Sequence, residues 1–484
     1  MRRLGFLAFV IAFLACTGDD PPGDVSGGSA VPGSDAGDEG GMCATPARCS
    51  DDGRSIVTCA GTQPCPLGCD VSGARCKEIA PSGAAGTVQA STATAATVLE
   101  AANTYWFDTS TGTIGFRDES GTPAGPPVRA GGTGLVAGIG FEVVTQNDQS
   151  KVGVWSFRSL AVGKDAVLKA FGPDALTIVS LGDIVVDGQI RVGADCTKAA
   201  PGPGSAVAAS ARTGKLGVVK NTNPGFKFAC SGGGGGGNGT AGGAGADTTE
   251  NNTSGPNSVQ SLGGAGGTKR DKTLIDDPLL VGGGNGGGGV TAFGGDASPA
   301  LGGAGGGAIQ LVASGALTIN GLVDAAGCGG AKGYAGTQPI NTAYCRGSGG
   351  GGGGGTIFLE ANVVRVTATG RVLANGGGGG GGSTSYSSVA VNTDGASNAD
   401  DGARARGGVA DAVRGPCSPG QDGNVPDTGE PFANPCSGTD VAVGGSGGGG
   451  GFGSIAARTS DAAVVTADGG IVNPPFARSI AAVR

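Results

Sequence analysis

The stretch from Gly302 to Gly382 opens with Gly302-Gly303-Ala304-Gly305-Gly306-Gly307-Ala308-Ile309-Gln310-Leu311-Val312-Ala313-Ser314-Gly315-Ala316-Leu317-Thr318-Ile319-Asn320-Gly321-Leu322-Val323-Asp324. A glycine run thus gives way to alternating apolar residues, the period-two pattern of β-strands. A second glycine run, Gly349–Gly355, precedes the next strand-like segment, and a third run begins at Gly376. Variations of this unit fill most of the chain, which is typical of a repetitive scaffold and not of a catalytic pocket.

The strand-like segments recur at rung-like distances. Leu160 and Ile184 are 24 residues apart, a length that suits one rung of a β-solenoid. Ile309 and Ile357 are 48 residues apart, which indicates two such rungs.

The repeat is clearest in its glycine spacing. The copies that begin at Leu176 and Ile309 each have a glycine six residues later and another after six more. A third copy begins at Ile357 and slips by one or two residues, and a weaker fourth begins at Ile455. We therefore predict an all-β fold: a right-handed parallel β-helix, or solenoid, with polyglycine-rich faces, preceded by a small disulfide-rich module.

The glycine runs have three interpretations. An ordered glycine costs about 0.5–1 kcal/mol relative to alanine, so a long run needs compensating hydrogen bonds and close packing. The runs are stacked solenoid corners, a bundle of extended polyglycine helices without the collagen Gly-X-Y period, or loose surface loops. We favour packed runs, because they occupy equivalent places beside successive strand pairs.

Composition excludes several classes of function. The chain has 484 residues with 106 Gly, a net charge of −8 and a pI near 4.7, so we expect no nucleic-acid partner. It contains no histidine, which excludes Ser-His-Asp and Cys-His catalysis and histidine-ligated metals. We expect a protein that is not an enzyme and has no cofactor or metal.

The amino terminus indicates export. Residues 1–15 have the charged and apolar regions of a signal peptide, and Phe13-Leu14-Ala15-Cys16 resembles a bacterial lipobox. Cys16 is then the acylated residue that holds the chain at a membrane; the alternative is an ordinary secretory signal. Thr17 after the cysteine implies the outer membrane by the enteric sorting rule. Residues 16–42 are an acidic, flexible linker.

The other twelve cysteines suit an oxidised, exported protein. Six define a disulfide module at 43–76, for which zinc binding by Cys65 and Cys69 is the alternative. The later six form sequence neighbours that we expect to pair: Cys196 with Cys230, Cys328 with Cys345, and Cys417 with Cys436. The disulfide candidates are Cys43, Cys49, Cys59, Cys65, Cys69, Cys76, Cys196, Cys230, Cys328, Cys345, Cys417 and Cys436.

Two regions follow the module. Residues 77–158 are a β-rich amino-terminal part of the solenoid or its cap, and residues 159–484 are the glycine-rich solenoid with cysteine-pinned loops. The cluster Tyr105-Trp106-Phe107 either caps a small β core or forms a sugar-stacking platform.

Charged residues near strand ends are the candidates for chemistry. Polysaccharide-cleaving β-helix enzymes gather acids and a basic residue on one face, whereas acids that follow strands are often turn residues. The residues concerned are Asp183, Asp187, Arg191, Asp195 and Asp324. A calcium-binding loop is a second idea, based on Asp422, Asn424, Asp427 and Glu430, although their spacing is not that of an EF-hand.

The lipobox, the six-cysteine module and the alternation of Ala-Ile-Gln-Leu-Val-Ala-Ser-Gly segments with polyglycine resemble glycine-rich β-solenoid surface lipoproteins of the myxobacterial type. The resemblance covers nearly the whole chain and implies architecture and location. We expect a non-catalytic, lipid-anchored structural or adhesive protein of the outer membrane or cell surface. Its partners would be the membrane through Cys16, and a matrix polysaccharide or another surface protein. The alternatives are a polysaccharide-degrading lyase or hydrolase and an envelope-complex scaffold.

Overall fold

Short β-strands make up nearly all of the regular structure, as the period-two pattern predicts. The computed structural model describes residues 47–58, 61–116, 122, 124–205, 211–220, 229–251, 259–292, 300–337, 343–382, 405–407, 422–423, 436–439, 443–460, 465–467 and 469–481. Helical structure in these ranges is limited to two 3₁₀ turns, η1 (Gly83–Thr87) and η2 (Ala90–Thr92). No helix in the described ranges has the length and apolar character needed to cross a membrane. The predicted all-β class is confirmed.

The first described residues form two small antiparallel sheets with disulfide bonds. The strands are β1 (Arg48–Cys49), β2 (Ser55–Thr58), β3 (Gly61–Pro64), β4 (Cys69–Asp70) and β5 (Arg75–Cys76). Cys49 is bonded to Cys69 and Cys65 to Cys76, which confirms a disulfide-rich region. The zinc alternative is wrong, because the sulfurs of Cys65 and Cys69 are both used in disulfides. Cys43 and Cys59 lie outside the described residues.

The main body contains the remaining strands. Those before the first long glycine region are β6 (Ala96–Leu99), β7 (Thr104–Asp108), β8 (Ile114–Phe116), β9 (Gly134–Val136), β10 (Ile139–Thr145), β11 (Lys151–Phe157), β12 (Ser159–Val162), β13 (Val167–Phe171), β14 (Ala175–Ser180), β15 (Ile184–Val186) and β16 (Gln189–Arg191). Those after it begins are β17 (Val219–Lys220), β18 (Ala229–Cys230), β19 (Thr248–Asn251), β20 (Val259–Ser261), β21 (Thr291–Ala292), β22 (Ala308–Ile319), β23 (Leu322–Asp324), β24 (Tyr334–Thr337), β25 (Ala343–Arg346), β26 (Thr356–Val366), β27 (Arg371–Leu373), β28 (Cys436–Thr439), β29 (Val443–Gly444), β30 (Ser454–Thr459), β31 (Val465–Ala467), β32 (Ile471–Asn473) and β33 (Ala477–Ile480).

Three parallel ladders run through this body. The first ladder contains β11, β14, the first halves of β22 and β26, β30 and β33. The second contains β6, β12, β15, the second halves of β22 and β26, and β31. The third contains β7, β13, β16, β23, β27 and β32. The chain visits them in this order on successive passes, and the first two belong to one curled sheet of 12 strands.

One apolar core lies between the ladders. Leu176 of the first ladder, Ile184 of the second and Ile190 of the third are each fully buried and belong to one cluster. Because alternate residues of a strand face opposite sides, each pass contributes side chains to this core from all three ladders. At the amino-terminal end, the antiparallel hairpins of β8, β9 and β10 add Phe141 and pack it against Trp155.

The predicted register of the repeat is confirmed. Leu176 pairs with Ile309, Ile309 with Ile357, and Ile357 with Ile455, so the four copies lie side by side. The predicted slip of the third copy is a register shift after Ala313. The prediction of two rungs between Ile309 and Ile357 is wrong, because these residues are direct ladder partners and residues 325–355 leave the ladders instead.

The glycine-rich regions form a bundle beside the ladders. The chain leaves the third ladder after Arg191, Asp324 and Leu373, and it returns to the first ladder at Ala308, Thr356 and Ser454. The glycine segments in between lie side by side, and the peptide groups of one segment bond to those of its neighbours. The run Gly232–Gly237 has six such neighbours, joined to it by N···O distances of 2.7 to 3.3 Å.

These hydrogen bonds have a period of three residues, the period of a polyproline-II-like helix. In the run Gly232–Gly237, residues three apart donate to the same segment: 243–246, 348–351 or 212–215. Their carbonyl groups accept from three other segments, 264–267, 448–451 and 284–287. The amides of the run Gly349–Gly354 also donate to neighbouring segments with a period of three residues. These runs are therefore a bundle of extended polyglycine helices; the loose-loop and solenoid-corner interpretations are wrong for them.

Close approach explains why these runs are glycine. A Cβ atom placed on Gly235 would fall on the carbonyl group of Gly449, and one on Gly350 on that of Gly234. Both carbonyls are backbone atoms of neighbouring segments and cannot move without breaking the bundle. The cost of ordering glycine is thus offset by dense hydrogen bonding.

A disulfide joins two of the glycine-rich regions. Cys196 is bonded to Cys328, 132 residues away, so the predicted pairs Cys196–Cys230 and Cys328–Cys345 are wrong. Sequence neighbours do not pair here because the bundle brings residues 192–307 and 325–355 together. Cys230 is also disulfide-bonded. Cys417 lies outside the described residues, so its pairing with Cys436 stays a prediction.

Candidate functional site

The outward face of the third ladder carries several of the charged residues that the sequence analysis selected. Ile190 and Val323 are fully buried in the core, so their strand neighbours face outward. Lys169 pairs with Arg191, and Arg191 pairs with Asp324, on three adjacent strands. Charged residues from separate passes are thus ladder neighbours on the side that faces away from the core, although Asp324 is itself buried.

An open groove of about 260 Å³ lies at the turns between the second and third ladders. Four successive passes contribute to it, and it presents carboxylates and guanidinium groups together. We call it the polar groove; its polar lining residues are Asp165, Asp187, Gln189, Arg191, Thr369 and Arg371.

Hydrogen bonds between and within passes hold the lining of the polar groove. Asn320 Nδ2 donates to Asp187 Oδ1 at 2.6 Å, and Thr369 Oγ1 donates to the Asn320 carbonyl at 2.7 Å. Arg191 Nε donates to Gln189 Oε1 at 2.8 Å. The groove is therefore built before any ligand arrives, which lowers the entropy cost of binding.

A cation and an aromatic ring extend the same face. Lys169 Nζ lies 4.9 Å from the centre of the Trp106 ring and 3.3 Å from Asp195 Oδ2. Burial acts to raise the pKa of Asp195, but hydrogen bonds from Thr197 and the charge of Lys169 outweigh it, so the pKa is lowered. Asp195 therefore carries its charge at neutral pH as the partner of Lys169.

The five candidate residues divide by position. Asp187 and Arg191 line the polar groove, and Asp195 lies beyond it with Lys169. Asp324 is Arg191's ladder partner but is buried, and its Oδ1 accepts from Ala326 N at 3.0 Å. Asp183 is a turn residue whose Oδ1 accepts from Ala316 N at 2.7 Å, and it does not line the groove.

Only one residue of the aromatic cluster faces outward. Tyr105 and Phe107 are buried in the core, and Tyr105 Oη accepts from Glu100 N at 2.8 Å. Trp106 is half-buried on the outward face, 5.7 Å from the ring of Phe171 between centroids. A three-residue sugar platform is therefore wrong, since two of its rings are core residues.

The proposed calcium loop lies mostly outside the described residues. Asp422 Oδ1 accepts from Gly407 N at 2.8 Å. Asn424, Asp427 and Glu430 lie outside the described residues. Among the residues that are described, no three cysteine or acidic side chains are grouped so as to hold a metal ion.

A buried carboxylate lies on the outward face of the first ladder. Glu360 accepts from Ser82 N at 2.9 Å and from Gln310 Nε2 at 2.5 Å, and its Oε1 is 3.9 Å from Arg458 Nη1. Burial raises the pKa of Glu360. Its partners are all protein groups, so it fastens the segment around Ser82 to the ladder.

The groove also contains residues that the sequence analysis missed. Asp165, Thr369 and Arg371 lie in or beside the turns that stack on Asp187. Arg371 pairs with Leu322, which pairs with Gln189, so aligning the repeat copies would have placed Arg371 two strands from Gln189.

The polar groove suits a hydroxyl-rich or acidic ligand. Its guanidinium groups donate hydrogen bonds and its carboxylates accept them, which is what a saccharide requires. No protein-family model, no curated protein and no solved structure matches this chain.

Proposed function

We propose that this chain is a non-catalytic, lipid-anchored protein of the outer membrane or cell surface that binds polysaccharide in the polar groove. The observation that carries the proposal is the groove itself, an open surface built from four passes of a repetitive scaffold. Cys16 supplies the acyl anchor in this proposal, and two acyl signals suffice for stable membrane attachment. The disulfides agree with an exported protein.

The proposed scaffold is a right-handed parallel β-helix with a polyglycine bundle on one side. Three parallel ladders around one core support the β-helix. Right-handedness is proposed because parallel strands in one sheet are joined by right-handed crossovers in about 98% of cases.

The far end of the bundle supports an adhesive role. Three small sheets occur there, with the strand orders β17–β18–β29, β20–β19–β28 and β21–β25–β24. In the first sheet β18 is the middle strand, antiparallel to β17 and parallel to β29. The hydrogen-bonded polyglycine bundle separates these sheets from the ladders, as a stalk would.

Co-sedimentation with polysaccharides tests the proposal. The oxidised protein is incubated with a panel of bacterial and plant polysaccharides, and both retention and chain length are recorded. We expect retention without shortening. Arg191→Gln should weaken retention about tenfold, because it removes charge-assisted hydrogen bonds, whereas exposed Arg365→Gln should not.

The second candidate function is a polysaccharide-cleaving enzyme, which the two groove carboxylates Asp165 and Asp187 favour. Shortened chains would overturn the proposal, and Asp187→Asn would then abolish shortening. If no polysaccharide is retained or shortened, the groove proposal fails and a protein partner, as in an envelope complex, takes its place.

A further inference from the structure

A basic loop lies at the ladder end of the polyglycine bundle. Residues 269–272, Lys-Arg-Asp-Lys, follow the glycine segment that ends at Thr268. Cavities of about 400 and 380 Å³ flank this basic loop. Neither cavity shares a lining residue with the polar groove.

The smaller cavity has an excess of positive charge. Four of its lining side chains are cationic and two are anionic, in a protein whose net charge is −8. The cationic residues are Arg212, Lys269, Arg270 and Lys272, and the anionic ones are Asp271 and Asp277.

Nearby carboxylates act on the two arginines through their charges, Asp277 on Arg270 and Asp148 on Arg212. Arg270 Nη2 donates to the Asp277 carbonyl at 3.0 Å, while Arg270 Nη1 is buried without an acceptor. Arg212 Nη1 donates to Asn238 Oδ1 at 3.4 Å. Among the described residues neither guanidinium forms an ion pair.

The pKa values show that the two charges oppose each other. The pKa of Arg270 is lowered to about 10, mainly by burial and next by the charge of Arg212. The charge of Asp277 acts to raise this pKa but is outweighed. Burial also lowers the pKa of Arg212. Two half-buried cations that repel each other in a cavity are stabilised by a bound anion.

We propose that this cavity binds an oxyanion, a phosphate or sulfate group, between Arg212 and Arg270. Planar guanidinium groups match the geometry of such groups and bind them through paired hydrogen bonds. The exposed Lys272 and Lys269 add attraction at the mouth, and a cavity of about 380 Å³ has room for a sugar that carries the oxyanion. The proposal does not depend on the polar groove.

Calorimetric titration of the full chain tests it. The titrants are sodium phosphate, sodium sulfate, glucose 6-phosphate, glucose 6-sulfate and glucose, at constant ionic strength. We expect all but glucose to bind, and Arg270→Gln or Arg212→Gln to weaken binding about tenfold or more. If the sugar esters bind more tightly than the inorganic ions, the natural ligand is a saccharide that carries the oxyanion. If they bind equally, the natural ligand is a free phosphate or sulfate ion.

The controls separate folding from binding. Arg365→Gln removes an exposed arginine outside the cavity and should bind as the unmodified protein does. Lys272→Gln changes an exposed residue and should weaken binding a few-fold even where the arginine variants fail to fold. Absence of binding by every oxyanion, or equal weakening in Arg365→Gln, would overturn the proposal.

Discussion

At the scale of single residues, the absence of a side chain is what builds the bundle. Gly235 accepts and donates backbone hydrogen bonds with neighbouring segments, and the position of its missing Cβ is taken by the carbonyl of Gly449. The same reasoning holds along the run, so glycine is required there for close approach and not for unusual backbone angles.

Gly235→Ala should therefore destabilise the protein. Overpacking of this kind costs about 1–3 kcal/mol of the free energy of unfolding. Gly125→Ala is the matched control, because a Cβ there meets nothing within 4 Å. Chemical denaturation monitored by circular dichroism should show a loss for Gly235→Ala and little change for Gly125→Ala; equal stabilities would contradict close packing.

The sequence predicts some groove residues and not others. Asp187 and Arg191 were selected because they lie at strand ends within one copy of the repeat. Thr369 and Arg371 come from a later copy, separated from them by two glycine-rich excursions. Thr369 and Arg371 lie near Asp187 and Arg191 only because the passes stack. The sequence of one repeat copy does not show which residues of another copy stack on it.

At the scale of elements, the disulfide between Cys196 and Cys328 closes the largest loop among those described. The chain-entropy model relates its contribution to the number of residues it encloses. Its 132-residue separation compares with 20 for Cys49–Cys69.

Replacing Cys196 and Cys328 by serine should lower the free energy of unfolding by about 4–5 kcal/mol, against about 3 kcal/mol for Cys49 and Cys69. Guanidinium unfolding of the two double variants, with the unmodified protein beside them, measures both losses. A smaller loss for Cys196 and Cys328 than for Cys49 and Cys69 would contradict the chain-entropy account of this disulfide.

The strands could be predicted from the sequence better than the arrangement of the glycine segments. The ladder register was predictable because apolar residues and glycines at fixed spacing mark each strand. The neighbours within the bundle were not, because glycine runs carry no side-chain pattern that distinguishes one partner from another. The predicted pair Cys196–Cys230 is wrong for this reason, because the packing of the bundle decides which cysteine lies beside Cys196.

At the scale of the whole molecule, ladders and bundle share one hydrogen-bonded framework. Gly355 N donates to Ala325 O, and Thr356 N, at the first residue of β26, donates to Gly307 O. The peptide bonding of the first ladder thus continues without interruption into the glycine segments.

Amide exchange should reveal this framework. Peptides that cover residues 231–237 should exchange at least about a thousandfold more slowly than a free chain, because their amides open only with the cooperative unit. The exposed residues 196–199 should exchange quickly and serve as the internal control. Rapid exchange at 231–237, measured by mass spectrometry, would be incompatible with the bundle.

The threefold period of the bundle has a consequence for how such a chain can change its length. Loss or gain of three glycines moves a segment by one turn, about 9 Å, and leaves each remaining amide directed at the same neighbour. Loss or gain of one or two rotates every later amide towards a different neighbour. Insertions or deletions of three glycines in one run should therefore be tolerated better than insertions or deletions of one or two.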